Sequence, residues 1–136
     1  MITGRYTRLD LELNNRGSGK MRVIIIIPAY NERDNILNTI ADIRQNAPFV
    51  DYVVINDCST DDTKEVLKKA QANFIDLPVN LGIGGGVQTG YRYALDNGYD
   101  IAIQFDGDGQ HDASYIKKLI EPLENGQADI AIGSRF

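Results

Sequence analysis

Short apolar runs alternate with segments of helical periodicity along most of this chain. The apolar runs cover residues 23–27, 52–55, 74–77, 101–105 and 129–132. They are rich in β-branched residues and bounded by polar turns, which is typical of buried strands. Strands that alternate with amphipathic helices predict an α/β fold, with a mostly parallel, Rossmann-like sheet flanked by helices.

Four helices are predicted, each with apolar side chains on one face. These faces are Ile36, Leu37, Ile40 and Ile43; Val66, Leu67 and Ala70; Val87, Tyr91, Ala94 and Leu95; and Ile116, Leu119, Ile120 and Leu123. We expect Pro28 to end the first strand and Asn31 to act as the N-cap of the first helix. The glycine-rich stretch 80–90 is predicted to be a loop that opens the third helix, and Gly98 is predicted to end that helix.

The loops that follow strands one, two and four are rich in Asp, Asn, Ser and Gly. Right-handed crossovers place these loops at the same edge of a parallel sheet. Ligands of open α/β sheets bind outside the carboxyl ends of the strands. The sequence therefore predicts a binding site at this edge.

The strongest candidate chemistry lies directly after the fourth strand, where Asp106 and Asp108 alternate with glycines. Paired carboxylates suit Mg²⁺ or Mn²⁺, which usually bind through one or two carboxylates and the phosphates of a substrate. An EF-hand loop is excluded because His111 and Lys117 stand where it needs glycine and glutamate. A phosphatase of the DxDGT type would need threonine at Gln110. An acidic turn that caps the next helix is the simplest alternative.

The glycine-rich stretch does not match the common nucleotide fingerprints. A dinucleotide motif starting at Gly82 would need glycine at Val87 and would follow the first strand, so NAD binding is disfavoured. A P-loop would need Lys and Ser or Thr where Val87 and Gln88 stand. Glycines 84–86 fit either close packing of a helix on the sheet or contact with a ligand.

Composition narrows the class of protein. The 136 residues suffice for one domain, and the net charge of −5 argues against a nucleic-acid surface. A single cysteine, Cys58, excludes an intrachain disulfide and fits a reducing compartment. No apolar run approaches the roughly 20 residues needed to span a bilayer. Residues 1–20 are polar, and we expect a flexible leader or an added edge strand there, with the domain covering residues 21–136.

Five motifs occur together in an order that resembles family 2 glycosyltransferases. They are Ile-Pro-Ala-Tyr-Asn-Glu at 27–32, Asn-Asp-Cys-Ser-Thr-Asp-Asp-Thr at 56–63, Asn80 with Gly82, Phe-Asp-Gly-Asp at 105–108 and Ile-Gly-Ser-Arg-Phe at 132–136. The Asp-Gly-Asp-Gly-Gln-His and Gly-Ser-Arg-Phe segments are similar to the dolichyl-phosphate mannose synthase branch. The resemblance implies a GT-A fold, here truncated, and a donor that is a UDP- or GDP-sugar.

The resemblance also implies roles for individual residues. The nucleotide would lie along Pro28, Ala29, Tyr30, Glu32 and Gly82, and Asp57 would hydrogen-bond its base. Asp106 and Asp108 would form the DXD motif and, with Gln110, hold Mn²⁺ or Mg²⁺, so Asp106 also touches the nucleotide. Arg135 would face a phosphate of donor or acceptor. Cys58 stands where many members carry glycine or asparagine.

The family inverts the anomeric centre and transfers sugar to a polyprenyl phosphate or a saccharide. Because the chain ends directly after Gly-Ser-Arg-Phe, we expect the nucleotide-binding half of a longer enzyme, with little or no turnover by itself. We expect exposed apolar surface, which self-association would cover. We place the protein in the cytoplasm, at the cytoplasmic face of the membrane in the full-length enzyme. A phosphohydrolase built on Asp106 and Asp108, or a catalytically silent nucleotide-binding module, is the alternative.

Overall fold

A four-stranded parallel sheet forms the centre of the molecule, in a computed structural model that describes residues 21–105 and 116–124. The elements in chain order are β1 (Val23–Ala29), α1 (Ile36–Asn46), β2 (Asp51–Asn56), α2 (Thr63–Lys69), β3 (Phe74–Asp76), α3 (Gly82–Asp96), β4 (Ile101–Gln104) and α4 (Ile116–Glu124). The strand order is β3-β2-β1-β4, with all three pairings parallel. The predicted α/β class is confirmed. The predicted fifth strand, 129–132, and the leader, 1–20, lie outside the described residues.

The two faces of the sheet are both covered, which explains why its strands are apolar on both sides. Odd-numbered residues of β1, such as Ile25 and Ile27, pack in a cluster with α1, α2 and α4. Even-numbered residues, such as Ile24 and Ile26, pack against α3 on the other face. All four side chains are completely buried.

Pro28 does not end the first strand, which continues through Ala29. The amide of Phe105 donates to the carbonyl of Ile26, and the amide of Asp57 donates to the carbonyl of Ala29. Backbone groups of alternate strand residues face opposite sides, and those of Ile26 face β4. The backbone nitrogen of Pro28, which carries no hydrogen, therefore also faces the β4 side. The β4 pairing ends at Ile26 and Gln104, whereas the β2 pairing continues to Ala29, so Pro28 interrupts β1 only on its β4 side.

The predicted glycine loop is wrong, because α3 begins at Gly82 and glycines 84–86 lie within the helix. Close packing on the sheet occurs one turn later: a Cβ on Gly90 would lie 2.3 Å from Cγ2 of Ile26. Gly84 has open space, and Gly86 is at ordinary contact distance. The helix ends as predicted at Gly98, which has φ of 73°, and the amide of Tyr99 bonds the carbonyl of Ala94 over 3.0 Å.

Three predicted core positions are exposed, one of which is Ala70, the C-cap residue of α2. Leu37 on α1 is 41% exposed and Leu95 on α3 is 60% exposed, whereas their neighbours on the predicted faces are buried or half-buried. Leu37 and Leu95 each directly follow a buried helical residue, Ile36 or Ala94, and lie at the margin of the apolar stripe. On α4, Ile116 and Ile120 are buried as predicted. Within the described part of the chain, no helix is long and apolar enough to cross a membrane.

Candidate functional site

The carboxyl ends of three strands lie side by side at one edge of the sheet. Ala29 is aligned with Asn56, and Asn56 is aligned with Asp76, so β1, β2 and β3 end at the same level. The loops that follow these strands therefore start next to one another. Of the three loops that the sequence predicted for this edge, those after β1 and β2 are brought together by this alignment, and the third neighbour is the loop after β3. The predicted loop beyond Phe105 lies outside the described residues.

Asp57 holds the second and third of these loops together. Its side chain is 5% exposed, and its Oδ1 accepts a hydrogen bond from the amide of Leu81 over 2.7 Å. Its carbonyl accepts from Nδ2 of Asn80, whose Oδ1 in turn accepts from the amide of Gly82. Leu81 is the N-cap residue of α3, so a carboxylate lies at the positive end of that helix. Asp57 therefore has a structural role at the edge where the resemblance places the base of a nucleotide.

The predicted nucleotide-binding residues of the first loop differ in their exposure. Pro28 is half-buried within β1, and Ala29 is buried in the core, so only its backbone faces the edge. Tyr30 is 46% exposed, which leaves much of its ring free for a ligand. The carbonyl of Glu32 accepts from the amides that start α1, and its Oε2 accepts from Asn35 over 3.3 Å.

Asn31 is not the N-cap of α1, which is Asn35. The Asn31 side chain instead contacts the loop that follows β2, where its Oδ1 accepts from the amides of Thr60 and Asp61 over 2.8 and 3.2 Å. Its Nδ2 donates to Oγ1 of Thr60 over 3.0 Å. Asn31 and its partner Thr60 were missed as site residues, because their contact spans 29 positions in the sequence.

A second polar network lies under the loop that follows β2. Asn56 is 1% exposed, and it donates to Oδ1 of Asp76 over 2.9 Å and accepts from Oγ of Ser59 over 2.5 Å. Lys64 pairs with Oδ2 of Asp76 over 2.8 Å. The hydrogen bond from Lys64 lowers the pKa of Asp76 below its ordinary value. No periodicity in the sequence signalled this network, because its members come from two strands, a loop and a helix.

Two acidic residues lie at the start of α2, and they have different partners. The Oδ1 of Asp61 accepts hydrogen bonds from the amide and from the hydroxyl of Thr63. Burial opposes ionisation of Asp61, but the bonds from Thr63 outweigh it and the pKa of the carboxyl is lowered. Asp62 pairs with Arg33 across the surface, at 3.3 Å.

Cys58 has a left-handed backbone, with φ of 56°. Glycine and asparagine are the residues that adopt this conformation most readily. This explains physically why the resemblance places those two residue types at this position. The Sγ of Cys58 makes one weak contact, 3.7 Å from the carbonyl of Pro78.

The predicted DXD carboxylates Asp106 and Asp108, together with Gln110, His111 and Arg135, lie outside the described residues. β4 ends at Gln104, level with Ile26 of β1, and the amide of Phe105 still donates to the carbonyl of Ile26. Among the described residues, no group of three or more His, Cys, Asp or Glu could hold a metal ion.

Comparison with known proteins agrees with this arrangement. The model of the family "Glycosyl transferase family 2" matches residues 24–136. The undecaprenyl-phosphate mannosyltransferase of Micrococcus luteus is 32% identical over 120 residues, which cover 85% of this chain and 49% of that protein. The dolichol-phosphate mannosyltransferase of Pyrococcus furiosus is 38% identical over 125 residues, which cover 85% and 34% respectively. The chain spans about half the length of the first curated relatives that it matches.

Solved structures support the same fold. Glucosyl-3-phosphoglycerate synthase from Mycobacterium tuberculosis, in complex with Mn²⁺ and uridine-diphosphate-glucose, superposes with a TM-score of 0.64 at 24% identity. The match covers 92% of this chain and 46% of that protein. The GT-A fold expected from the sequence is confirmed.

Proposed function

This chain belongs to glycosyl transferase family 2, and we propose that it forms the donor-binding part of a metal-dependent, inverting glycosyltransferase. The donor is a nucleoside-diphosphate sugar carrying uridine or guanosine. The acceptor is a polyprenyl phosphate or a saccharide. The names of the relatives support a lipid-phosphate acceptor, and the Mycobacterium tuberculosis enzyme in complex with uridine-diphosphate-glucose supports a uridine donor.

The observation that carries this proposal is the alignment of strand ends at one polar edge. Tyr30 and Glu32 follow β1, and Asp57 follows β2, just beyond the last aligned pair, Ala29 and Asn56. An exposed tyrosine ring offers a surface on which a base or ribose packs. A carboxylate of Asp57 offers hydrogen-bond acceptors for the N–H groups of a base. Gly82, with its open space, lets a ligand approach the start of α3.

The metal ligands in this proposal are Asp106, Asp108 and Gln110. All three offer hard oxygen atoms, which fit Mn²⁺ or Mg²⁺. A divalent ion bound there supplies Lewis-acid stabilisation of the charge that develops on the leaving diphosphate. Arg135 adds a planar, permanently charged guanidinium suited to a phosphate of donor or acceptor.

Inversion implies direct attack of the acceptor oxygen on the anomeric carbon, opposite the leaving diphosphate. A phosphate acceptor is already anionic and needs no general base, whereas a hydroxyl acceptor needs one. The role of this chain is then to bind the donor and to stabilise the departing diphosphate.

Calorimetric titration of UDP, GDP and NAD, each with and without Mn²⁺, tests the proposal. We expect one nucleoside diphosphate to bind in a Mn²⁺-dependent way, and we expect Asp108→Ala to abolish that dependence. NAD serves as the control ligand, because the glycine-rich stretch lacks the dinucleotide fingerprint. Affinity that persists unchanged in chelator would favour a catalytically silent nucleotide-binding module. Absence of binding by all three would refute the proposed donor site in this chain.

A further inference from the structure

The loops that follow β1 and β2 are joined by a clasp centred on Asn31. Five hydrogen bonds make this contact. The Oδ1 of Asn31 accepts from the amides of Thr60 and Asp61 and from the hydroxyl of Thr60, and that hydroxyl also accepts from Nδ2 of Asn31. The Asn31 amide donates to Oγ of Ser59 over 3.0 Å. The side chain of Asn31 thus replaces the backbone pairing that ends with β1 and β2.

Further hydrogen bonds join the same two loops on either side of the clasp. The amide of Glu32 donates to Oγ1 of Thr63 over 3.1 Å, and Thr63 is completely buried. On the strand side, the amide of Asp57 donates to the carbonyl of Ala29 over 2.9 Å. The segment from Ala29 to Glu32 is therefore bonded to the segment 57–63 at both ends and in the middle.

Asn31 also adopts a left-handed backbone conformation, with φ of 54°. This conformation is open to glycine and, among residues with a side chain, most readily to asparagine and aspartate. Only asparagine combines the backbone with both an acceptor oxygen and a donor nitrogen in one short side chain. Asparagine at this position therefore suits both the left-handed backbone and the hydrogen bonds to Thr60 and Asp61.

We propose that Asn31 is a positioning residue for the donor site. By clasping the two loops it sets the spacing between Tyr30 and Glu32 on one side and Asp57 on the other. This role depends on the donor site proposed above. If only a fraction of the molecules holds the loops in the arrangement that binds the nucleotide, the apparent Kd equals the intrinsic Kd divided by that fraction. A smaller fraction therefore gives weaker binding. Loss of the clasp therefore weakens nucleotide binding through the loop arrangement, because the side-chain atoms of Asn31 are engaged by Thr60 and Asp61.

The test compares Asn31→Gly with wild type. Glycine keeps the φ of 54° and removes every side-chain bond, so backbone strain does not confound the result. Gln71→Gly is the matched control, because Gln71 has φ of 55° and lies beyond α2, at the opposite edge of the sheet. Asn31→Asp retains the oxygen that accepts from Thr60 and Asp61, and serves as the conservative rescue. Thr60→Ala, at an exposed side chain, provides a milder second variant.

Two measurements are made on each variant. Hydrogen exchange reports the amides of Thr60 and Asp61, and calorimetry reports the Kd of UDP and of GDP with Mn²⁺. For Asn31→Gly we expect amide exchange to accelerate at least tenfold and the Kd of the bound nucleotide to rise at least tenfold. We expect Asn31→Asp to recover most of the affinity, Thr60→Ala to lose affinity severalfold, and Gln71→Gly to match wild type.

Unchanged exchange at Thr60 and Asp61 in Asn31→Gly would overturn the clasp itself. Faster exchange with an unchanged Kd would overturn the positioning role, because Asn31 would then serve the fold alone. If the wild type bound neither nucleotide, the proposed function would fail and the positioning role with it. The exchange data would in that case still show whether the two loops are joined.

Discussion

Gly90 is the glycine of α3 at which an added Cβ would come closest to the sheet, and Gly90→Ala tests that packing. A Cβ there would lie 2.3 Å from Cγ2 of Ile26, 3.0 Å from its Cγ1 and 3.1 Å from its Cδ1. Carbon atoms pack favourably at about 3.5–4.0 Å, so the overlap with Cγ2 exceeds about 1 Å. Ile26 is completely buried in β1, which is paired with β2 and β4 on its two sides. It has little room to move away.

Two opposing effects decide the size of the change. Alanine favours the helix over glycine by about 1 kcal/mol. Overpacking of a core costs typically about 1–3 kcal/mol, and we take the upper end because the overlap is with the branched part of a buried isoleucine. The expected result is a net loss of about 2 kcal/mol in the free energy of unfolding. Urea denaturation, with an unchanged m-value, measures it.

The same helix supplies the control. A Cβ added to Gly84 would have no atom within 4 Å, so Gly84→Ala gains helix propensity without a clash and should not destabilise the protein. A double-mutant cycle isolates the contact itself. In an Ile26→Ala background all three clashing atoms are gone, and Gly90→Ala should there cost nothing or stabilise. Equal stability of Gly90→Ala and wild type, or an equal cost in both backgrounds, would refute the packing described for α3.

Two further predictions concern the edge of the sheet. Cys58→Gly relieves a φ of 56° and loses only a weak sulfur contact, so thermal or urea unfolding should show unchanged or higher stability, by up to about 1 kcal/mol. A clear loss would contradict the strained backbone. Lys64→Met removes the partner that holds the pKa of Asp76 below its ordinary value, so the variant should be less stable at pH 7. Because the folded pKa is depressed, this stabilisation is present above the unfolded pKa and is lost as the pH falls through the lower folded value. Urea titrations from neutral to strongly acidic pH should show the two proteins converging, and a gap independent of pH would contradict the ion pair.

The fold class could be read from local pattern because parallel strands covered on both faces must be apolar on both faces. Residues 23–27 and 52–55 satisfy this without any long-range information, and β1 and β2 were predicted at almost their observed bounds. The strand order β3-β2-β1-β4 could not be predicted in this way. It depends on which strands become neighbours after each crossover, and the local sequence pattern contains no information about that.

The errors share a physical cause, which is that a residue type was judged by its neighbours in sequence. Pro28 looked like a strand end, but it interrupts only the pairing with β4, and the pairing with β2 continues to Ala29. Asn31 looked like a helix cap, but its partners lie on the next loop. Glycines 84–86 looked like part of a loop, while the glycine that the packing requires is Gly90.

The sequence alone determined the alternation of strands and helices, the family and the polar character of one sheet edge, because these depend on residue types and spacing along the chain. The tertiary structure decided which polar groups serve one another there. Asp57 bonds Leu81 across 24 positions, and Asn31 bonds Thr60 across 29. Such bonds form only after the crossovers have aligned the ends of β1, β2 and β3, so the folded chain, and no segment of it, determines the geometry of the site.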